Sequence, residues 1–234
     1  RVLFRSGSTC SVRIMAGRAE KHDGVFIVPV ELTGTATSGG SILYARAEIL
    51  LVHKIPKGTG TPADLPISPY PPGKTAIYDQ DRLFHGTDLQ GIEQIDSCSA
   101  AGITAQVKAA PKPEIWIRQP LRTTWLTDPL VIDSAFQLMI LWSFERSGCG
   151  SLPTFAGRYR QFQESFPREG SRIAIKITAE RSHGATADIE FYDRTSGAVI
   201  ARMENYECII DTSLQAVFRR NQLAPSGTVE LEVA

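Results

Sequence analysis

The segment from Asp128 to Trp142, DPLVIDSAFQLMILW, places a carboxylate and an amide inside an apolar run. Asp128 is a good N-cap acceptor and Pro129 suits the first helical position, so the pattern predicts a helix that begins here. Asp133 and Gln137 are four residues apart and share one helix face, where the amide can hydrogen-bond the carboxylate. Apolar neighbours cover nearly every face, which predicts a buried helix.

The role of the Asp133 carboxyl group can be interpreted in two ways. Burial disfavours the ionised form of a carboxyl group and raises its pKa, which is the property that a general acid needs. Alternatively, Asp133 has a structural role and caps a neighbouring strand or bonds a backbone amide in the core. From the residues alone, both interpretations stay open.

Composition excludes several classes of function. The chain of 234 residues carries 25 Lys and Arg and 25 Asp and Glu, so its formal charge is zero and nothing directs it to nucleic acid or an anionic membrane. The longest apolar stretch is too short to span a bilayer and is broken by Asp133 and Gln137. Since the N-terminus also lacks the pattern of a signal peptide, we expect a cytoplasmic protein.

Motifs for metal or nucleotide chemistry are missing from the sequence. Its four histidines and four cysteines are scattered, without HExxH or CxxC spacing, which predicts no metal site and free thiols. It contains no phosphate-binding glycine loop and no GxSxG nucleophile elbow. The Asp133 and Gln137 pair is therefore the main candidate for chemistry.

The elements before the helix begin with a hairpin. Residues 1–6, RVLFRS, look like a translated sequencing adaptor, and we expect them to be an artefact that leaves the chain cut at its upstream end. GVFIVPVELT, from Gly24, alternates in polarity, and SILYARAEILLVHK, from Ser41, resumes as a second strand after a glycine turn. Residues 55–77 are rich in Pro and Gly and are predicted to be a linker.

The elements after the linker predict an α+β domain. A short turn or helix feeds a hairpin with arms at 92–97 and 103–109, the buried helix follows, and four strand-like runs come after it. A long apolar helix beside a curved antiparallel sheet indicates a hotdog fold. We assign 78–223 to this hotdog, 7–54 to the remainder of a preceding, incomplete hotdog, and 224–234 to a tail or inter-domain linker.

These residues resemble the dehydratase domain of polyketide synthases, especially the form found in polyunsaturated fatty acid synthases, which is a double hotdog. The family's DxxxQ motif is matched by Asp133 and Gln137, its Tyr-Gly-Pro-x-Phe stretch by LFHGTDLQ, and its Leu-Pro by residues 152–153. The resemblance runs from about Gly24 to Asn221. His85, Thr87 and Leu89 depart from the family's Tyr, Pro and Phe, and no histidine has the spacing of its HxxxGxxxxP motif.

The resemblance implies a lyase that converts a 3-hydroxyacyl chain on an acyl carrier protein to the trans-2-enoyl product, without any cofactor besides the carrier's phosphopantetheine. Asp133 would be the general acid and Gln137 its orienting residue. Tyr78, Phe84, His85 and Gly86 would line the substrate channel. With the histidine segment expected upstream of the cut, this fragment would be inactive by itself.

The implied partners are the carrier protein and other domains of a megasynthase, with homodimerisation as a further possibility and no nucleic acid or membrane. His85 could substitute for an acid or base, although its place after Leu83 and Phe84 favours a helix-start or channel-wall role. Two alternatives stay open for the domain. One is a non-catalytic dehydratase-like domain that shapes the synthase or docks its carrier protein, and the other is a hotdog acyl thioesterase.

Overall fold

The computed structural model describes residues 11–35, 39–58, 70, 77–78 and 82–220. The chain divides into two compact units, Arg1–Ile55 and Pro56–Ala234. The predicted artefact at 1–6, the predicted tail at 224–234 and most of the predicted linker at 55–77 lie outside the described residues.

The first unit contains a four-stranded antiparallel sheet. Its strands are β1 (Val12–Ala16), β2 (Glu20–His22), β3 (Val25–Thr35) and β4 (Ser41–Leu51). β3 pairs with all three of the others, and its pairing with β4 confirms the predicted hairpin. The tight β2–β3 turn is made by Asp23 and Gly24, which both have positive φ angles (47° and 82°), as a two-residue hairpin turn of this type requires.

The second unit contains a six-stranded antiparallel sheet with the strand order β5-β6-β8-β9-β10-β7. Both arms of the predicted hairpin and the four predicted later strands are present. Their bounds are β5 (Ile92–Ser99), β6 (Gly102–Val107), β7 (Gly150–Gln161), β8 (Ser171–Arg181), β9 (Gly184–Asp193) and β10 (Val199–Asp211).

The described part of this unit also forms three α-helices: α1 (Pro113–Trp116), α2 (Pro129–Ser147) and α3 (Ser213–Arg220). α2 is the predicted buried helix, and it packs against β5, β6, β7 and β8. Eleven of its 19 residues are buried, and the indole Nε1 of Trp142 donates to the carbonyl oxygen of Ser99 at 2.9 Å. A helix with this much buried surface must be surrounded by apolar side chains, and the inward residues of the sheet supply them.

Two features of the second unit differ from what the sequence predicts. β7 begins at Gly150, whereas the strand-like pattern starts only at Ala156, after the Leu152-Pro153 pair. β7 is the last strand of the sheet, and an edge strand tolerates a proline that cannot donate a ladder hydrogen bond. Helix α3 is not predicted by the sequence pattern, although Leu214 and Phe218 bury one face of it.

Candidate active site

The helix that carries Asp133 and Gln137 begins at a fully used N-cap. Asp128 Oδ1 accepts from the backbone N–H groups of Leu130 and Val131, both at 2.9 Å, and its Oδ2 accepts from the N–H of Ala110 at 2.9 Å. The helix ends at Gly148, which adopts the left-handed conformation (φ 67°). The predicted start of the helix is thereby confirmed, and the first turns of α2 are fixed in place by a cap that also ties them to the loop after β6.

Asp133 and Gln137 meet as their spacing predicts. Gln137 Nε2 donates to Asp133 Oδ2 at 2.7 Å. Gln137 is completely buried, whereas the side chain of Asp133 keeps 32% of its surface exposed. The carboxylate thus lies at the edge of the core, with one oxygen held from inside the protein and the group as a whole still accessible.

Three further contacts fix the orientation of the Gln137 amide. Its Nε2 also donates to the carbonyl oxygen of Leu89 at 2.7 Å, and its Oε1 accepts from the hydroxyl of Tyr78 at 2.8 Å. The Tyr78 hydroxyl in turn accepts from the backbone N–H of Ile92 at 2.7 Å. If the amide were flipped, its NH₂ group would face the hydroxyl proton of Tyr78. Its oxygen would face two other acceptors, the carbonyl oxygen of Leu89 and the carboxyl oxygen of Asp133. The amide therefore has one favourable orientation, with an N–H directed at Asp133.

His85 lies beside the carboxylate. Its Nε2 is 3.8 Å from Asp133 Oδ2, its side chain is only 7% exposed, and its ring stacks on Phe84 with centroids 4.3 Å apart. Burial lowers the pKa of His85 below its usual value of 6.5, and the nearby Asp133 charge opposes this shift. The imidazole is therefore neutral at physiological pH.

The other residues predicted to line the substrate channel take different places. Burial raises the pKa of Tyr78, so its phenol stays protonated and acts as a hydrogen-bond donor to Gln137. Phe84 packs on Phe218 of α3 with ring centroids 4.6 Å apart, and Gly86 is the N-cap of a 3₁₀ turn at Thr87–Leu89. The structure brings Tyr78 and His85 to the Asp133–Gln137 pair, whereas Phe84 and Gly86 position the segment that carries His85. Whether these residues line a channel stays a prediction.

Sequence reasoning missed two groups of this cluster. The carbonyl of Leu89 and the amide of Ile92 belong to the backbone, and no residue type marks them. One feature of the sequence pointed to His85: it stands where the family has a tyrosine, within a stretch that otherwise resembles the family's motif.

The structure also bears on two functions for which the sequence has no motif. Within the described ranges, no group of three or more His, Cys, Asp or Glu side chains is arranged to hold a metal ion. No helix formed by the described residues combines the length and the apolar character that crossing a bilayer requires.

Comparison with known proteins decides the family. The family model for the polyketide synthase dehydratase N-terminal domain matches residues 56–213, which span the whole six-stranded sheet and α2. The chain belongs to the polyketide synthase dehydratase family. Residues 133 and 137 both lie inside the matched range, so the residues that suggested the family and the family model agree.

One longer protein and two solved structures are similar to this dehydratase-family chain. It is 30% identical over 136 residues to a polyunsaturated fatty acid synthase polypeptide of Thraustochytrium sp., a match that covers 57% of this chain and 5% of that much longer protein. The dehydratase domain from the CurH module of the curacin polyketide synthase is 18% identical, with a TM-score of 0.63, over 92% of this chain and 75% of that one. An inactive His-to-Phe variant of the CurJ dehydratase is 17% identical, with a TM-score of 0.58, over 85% of this chain and 68% of that one. These structures confirm the hotdog fold.

Proposed function

We propose that this domain dehydrates a 3-hydroxyacyl chain carried on the phosphopantetheine of an acyl carrier protein, giving the trans-2-enoyl product. The observation that carries the proposal is the position and the exposure of the Asp133 side chain. Its Oδ2 is held by Gln137 at 2.7 Å, while the side chain is 32% exposed at the edge of the core. A general acid needs this combination of a fixed position and access to the substrate. Family membership supports the reaction class.

In the proposed reaction, Asp133 donates its proton to the departing β-hydroxyl, which leaves as water while the α-proton is taken by a base. The carboxyl group of Asp133 is left as a carboxylate and the base is left protonated, so the protons balance. The reaction needs no redox cofactor and no metal ion.

We assign the base to the histidine of the family's HxxxGxxxxP motif. None of His22, His53, His85 and His183 has that spacing. The CurJ dehydratase, which is inactive as a His-to-Phe variant, supports a histidine requirement in this family. We therefore expect the present chain to be inactive, or nearly so, by itself.

The first unit supports the double-hotdog interpretation. One face of its sheet exposes large apolar side chains, among them Ile14 (73%), Ile49 (45%) and Leu51 (51%), and none of the described residues of this unit is helical. An antiparallel sheet in water normally covers one of its faces. We infer that a hotdog helix carrying the histidine covers this sheet in the synthase.

One measurement tests the assignment of the base and of the covering helix together. The source DNA directly upstream of the codon for Gly7 is sequenced in the same reading frame. Finding HxxxGxxxxP there supports both. Authentic coding sequence that continues without this histidine contradicts both, and favours the non-catalytic interpretation in which the domain shapes the synthase or docks its carrier protein.

The reaction itself is tested in the synthase that carries this domain, with a 3-hydroxyacyl carrier protein as substrate and mass spectrometry of the acyl chain as readout. Asp133→Asn keeps the size of the side chain but cannot donate a carboxyl proton, so dehydration should fall by about a hundredfold or more. Asp88→Asn, which changes an exposed carboxylate of the neighbouring 3₁₀ turn, is the matched control and should leave the rate unchanged. Near-normal dehydration by Asp133→Asn contradicts the proposal, and hydrolysis of the acyl chain in place of dehydration would support the thioesterase alternative.

A further inference from the structure

The tautomer of His85 follows from what surrounds its two ring nitrogens. Nδ1 is buried and has no hydrogen-bond partner among the described residues, while Nε2 is 3.8 Å from Asp133 Oδ2. A neutral imidazole carries one proton. With the proton on Nδ1, a buried N–H would have no acceptor, which is costly, while the lone pair of Nε2 would face the lone pairs of Asp133 Oδ2. The favoured tautomer therefore has the proton on Nε2, directed at Asp133.

The two oxygens of Asp133 are consequently not equivalent. Oδ2 receives the N–H of Gln137 at 2.7 Å and faces the Nε2–H of His85. No described residue donates a side-chain hydrogen bond to Oδ1. An oxygen that accepts one N–H and faces a second is the less favourable site for a proton, so a proton on this carboxyl group is favoured on Oδ1.

We propose that His85 is a positioning residue that, together with Gln137, keeps Oδ2 of Asp133 unprotonated and places the transferable proton on Oδ1, the oxygen left open to the substrate. When Asp133 gives up this proton, the same two N–H groups stabilise the carboxylate that forms. His85 gains and loses no proton in this scheme. The inference rests on the proposed function of Asp133 as the acid, and it assigns a role to the position at which this chain departs from the family's tyrosine.

The environment of His85 is consistent with a neutral donor. Asp133, from α2, is the titratable group beside the imidazole, and Phe84 stacks on the ring. Burial lowers the pKa of the imidazole, which keeps it uncharged at neutral pH.

A spectroscopic experiment on the 234-residue chain tests the tautomer without any turnover. Long-range ¹H–¹⁵N correlation NMR at a pH of about 7.5 distinguishes a protonated Nε2 from a protonated Nδ1. The expected result is a neutral ring with its proton on Nε2 and no proton on Nδ1. The signals of His22, His53 and His183 are the internal reference. A protonated Nδ1, or a doubly protonated ring, overturns the proposal.

A kinetic experiment in the synthase separates the donor from the bulk of the side chain. His85→Gln keeps an N–H donor near the position of Nε2, whereas His85→Leu keeps only the volume. The Leu variant should lose about tenfold in kcat with little change in KM, as expected when an N–H that faces the carboxylate formed in the reaction is removed, and the Gln variant should recover most of this loss.

The outcomes distinguish this inference from the function on which it rests. If Asp133→Asn abolishes dehydration while His85→Leu and His85→Gln have the same kcat, the acid stands and the role of His85 is refuted. If Asp133→Asn dehydrates normally, the proposed function itself fails. Should His85→Leu not fold, the NMR result on the unmodified chain decides the tautomer alone.

Discussion

Replacing Tyr78 by Phe tests the hydrogen-bond chain that orients Gln137. The Tyr78 hydroxyl accepts from the backbone N–H of Ile92 at 2.7 Å and donates to Gln137 Oε1 at 2.8 Å. Tyr78→Phe removes both bonds and leaves a buried N–H, since Ile92 is 5% exposed. One lost hydrogen bond costs about 1 kcal/mol and an unsatisfied buried donor about 1 to 3 kcal/mol. We expect the free energy of unfolding to fall by about 2 to 3 kcal/mol.

The measurement is urea-induced unfolding of the 234-residue chain, with the thermal midpoint as a second readout. For a unit of this size, the expected loss lowers Tm by roughly 4 to 12 °C. In the synthase, the same variant should slow dehydration by about tenfold, because the amide of Gln137 is no longer confined to one orientation.

Tyr206 offers a matched control for the loss of a hydroxyl group. It is 1% exposed, its ring stacks on Phe136 with centroids 5.5 Å apart, and its hydroxyl has no hydrogen-bond partner among the described residues. Tyr206→Phe therefore removes a buried polar group that has no hydrogen bond to lose, and should leave the stability unchanged or raise it by up to about 1 kcal/mol. If Tyr78→Phe and Tyr206→Phe have the same effect to within about 0.5 kcal/mol, the usual scatter of surface substitutions, the reasoning about Tyr78 is refuted.

Three further predictions concern stability and are measured by urea unfolding of the same chain. Asp128→Ala removes the three hydrogen bonds of the N-cap and should cost about 2 kcal/mol, with Asp128→Asn costing less because it keeps an acceptor; equal losses would contradict the capping role. His85 has a lowered pKa, so below its usual value of 6.5 the unfolded chain binds a proton that the folded chain does not, and stability falls as the pH drops from about 7 toward the folded-state pKa. His85→Gln should make this fall shallower, and an unchanged pH dependence would refute the assignment. Gly91→Ala would place a Cβ within clashing distance of Ser134 Oγ and should destabilise by about 2 kcal/mol or more, whereas Gly40→Ala meets nothing within 4 Å and should be nearly neutral.

Much of the fold was predictable from the sequence because its signals are local. The helix from Pro129 has a good N-cap residue, a proline at its first position and an apolar run, and all three act within a few residues of one another. The contact of Asp133 with Gln137 follows from their spacing on one helix. Strand existence follows from alternation and turn residues, whereas the start of β7 does not, because tolerance for Pro153 depends on its edge position in the folded sheet.

The rest of the candidate site was not predictable in the same way. His85 lies far before Asp133 in the chain, and its approach depends on how the segment from Arg82 to Gln90 folds over α2. The orientation of Gln137 depends on the carbonyl of Leu89. Every residue has a carbonyl, so no residue type reveals which one will face a buried amide.

A glycine explains how these distant groups reach the helix. The segment that carries His85 and Leu89 runs into Gly91, where an added Cβ would lie 2.2 Å from Ser134 Oγ and 2.9 Å from Leu130 Cγ. The backbone therefore approaches α2 more closely than any side chain at this position permits. This closeness brings the Leu89 carbonyl within 2.7 Å of Gln137 Nε2. Since the same approach determines the distance between His85 and Asp133, the placement of both groups around the carboxylate depends on one small residue outside the DxxxQ motif.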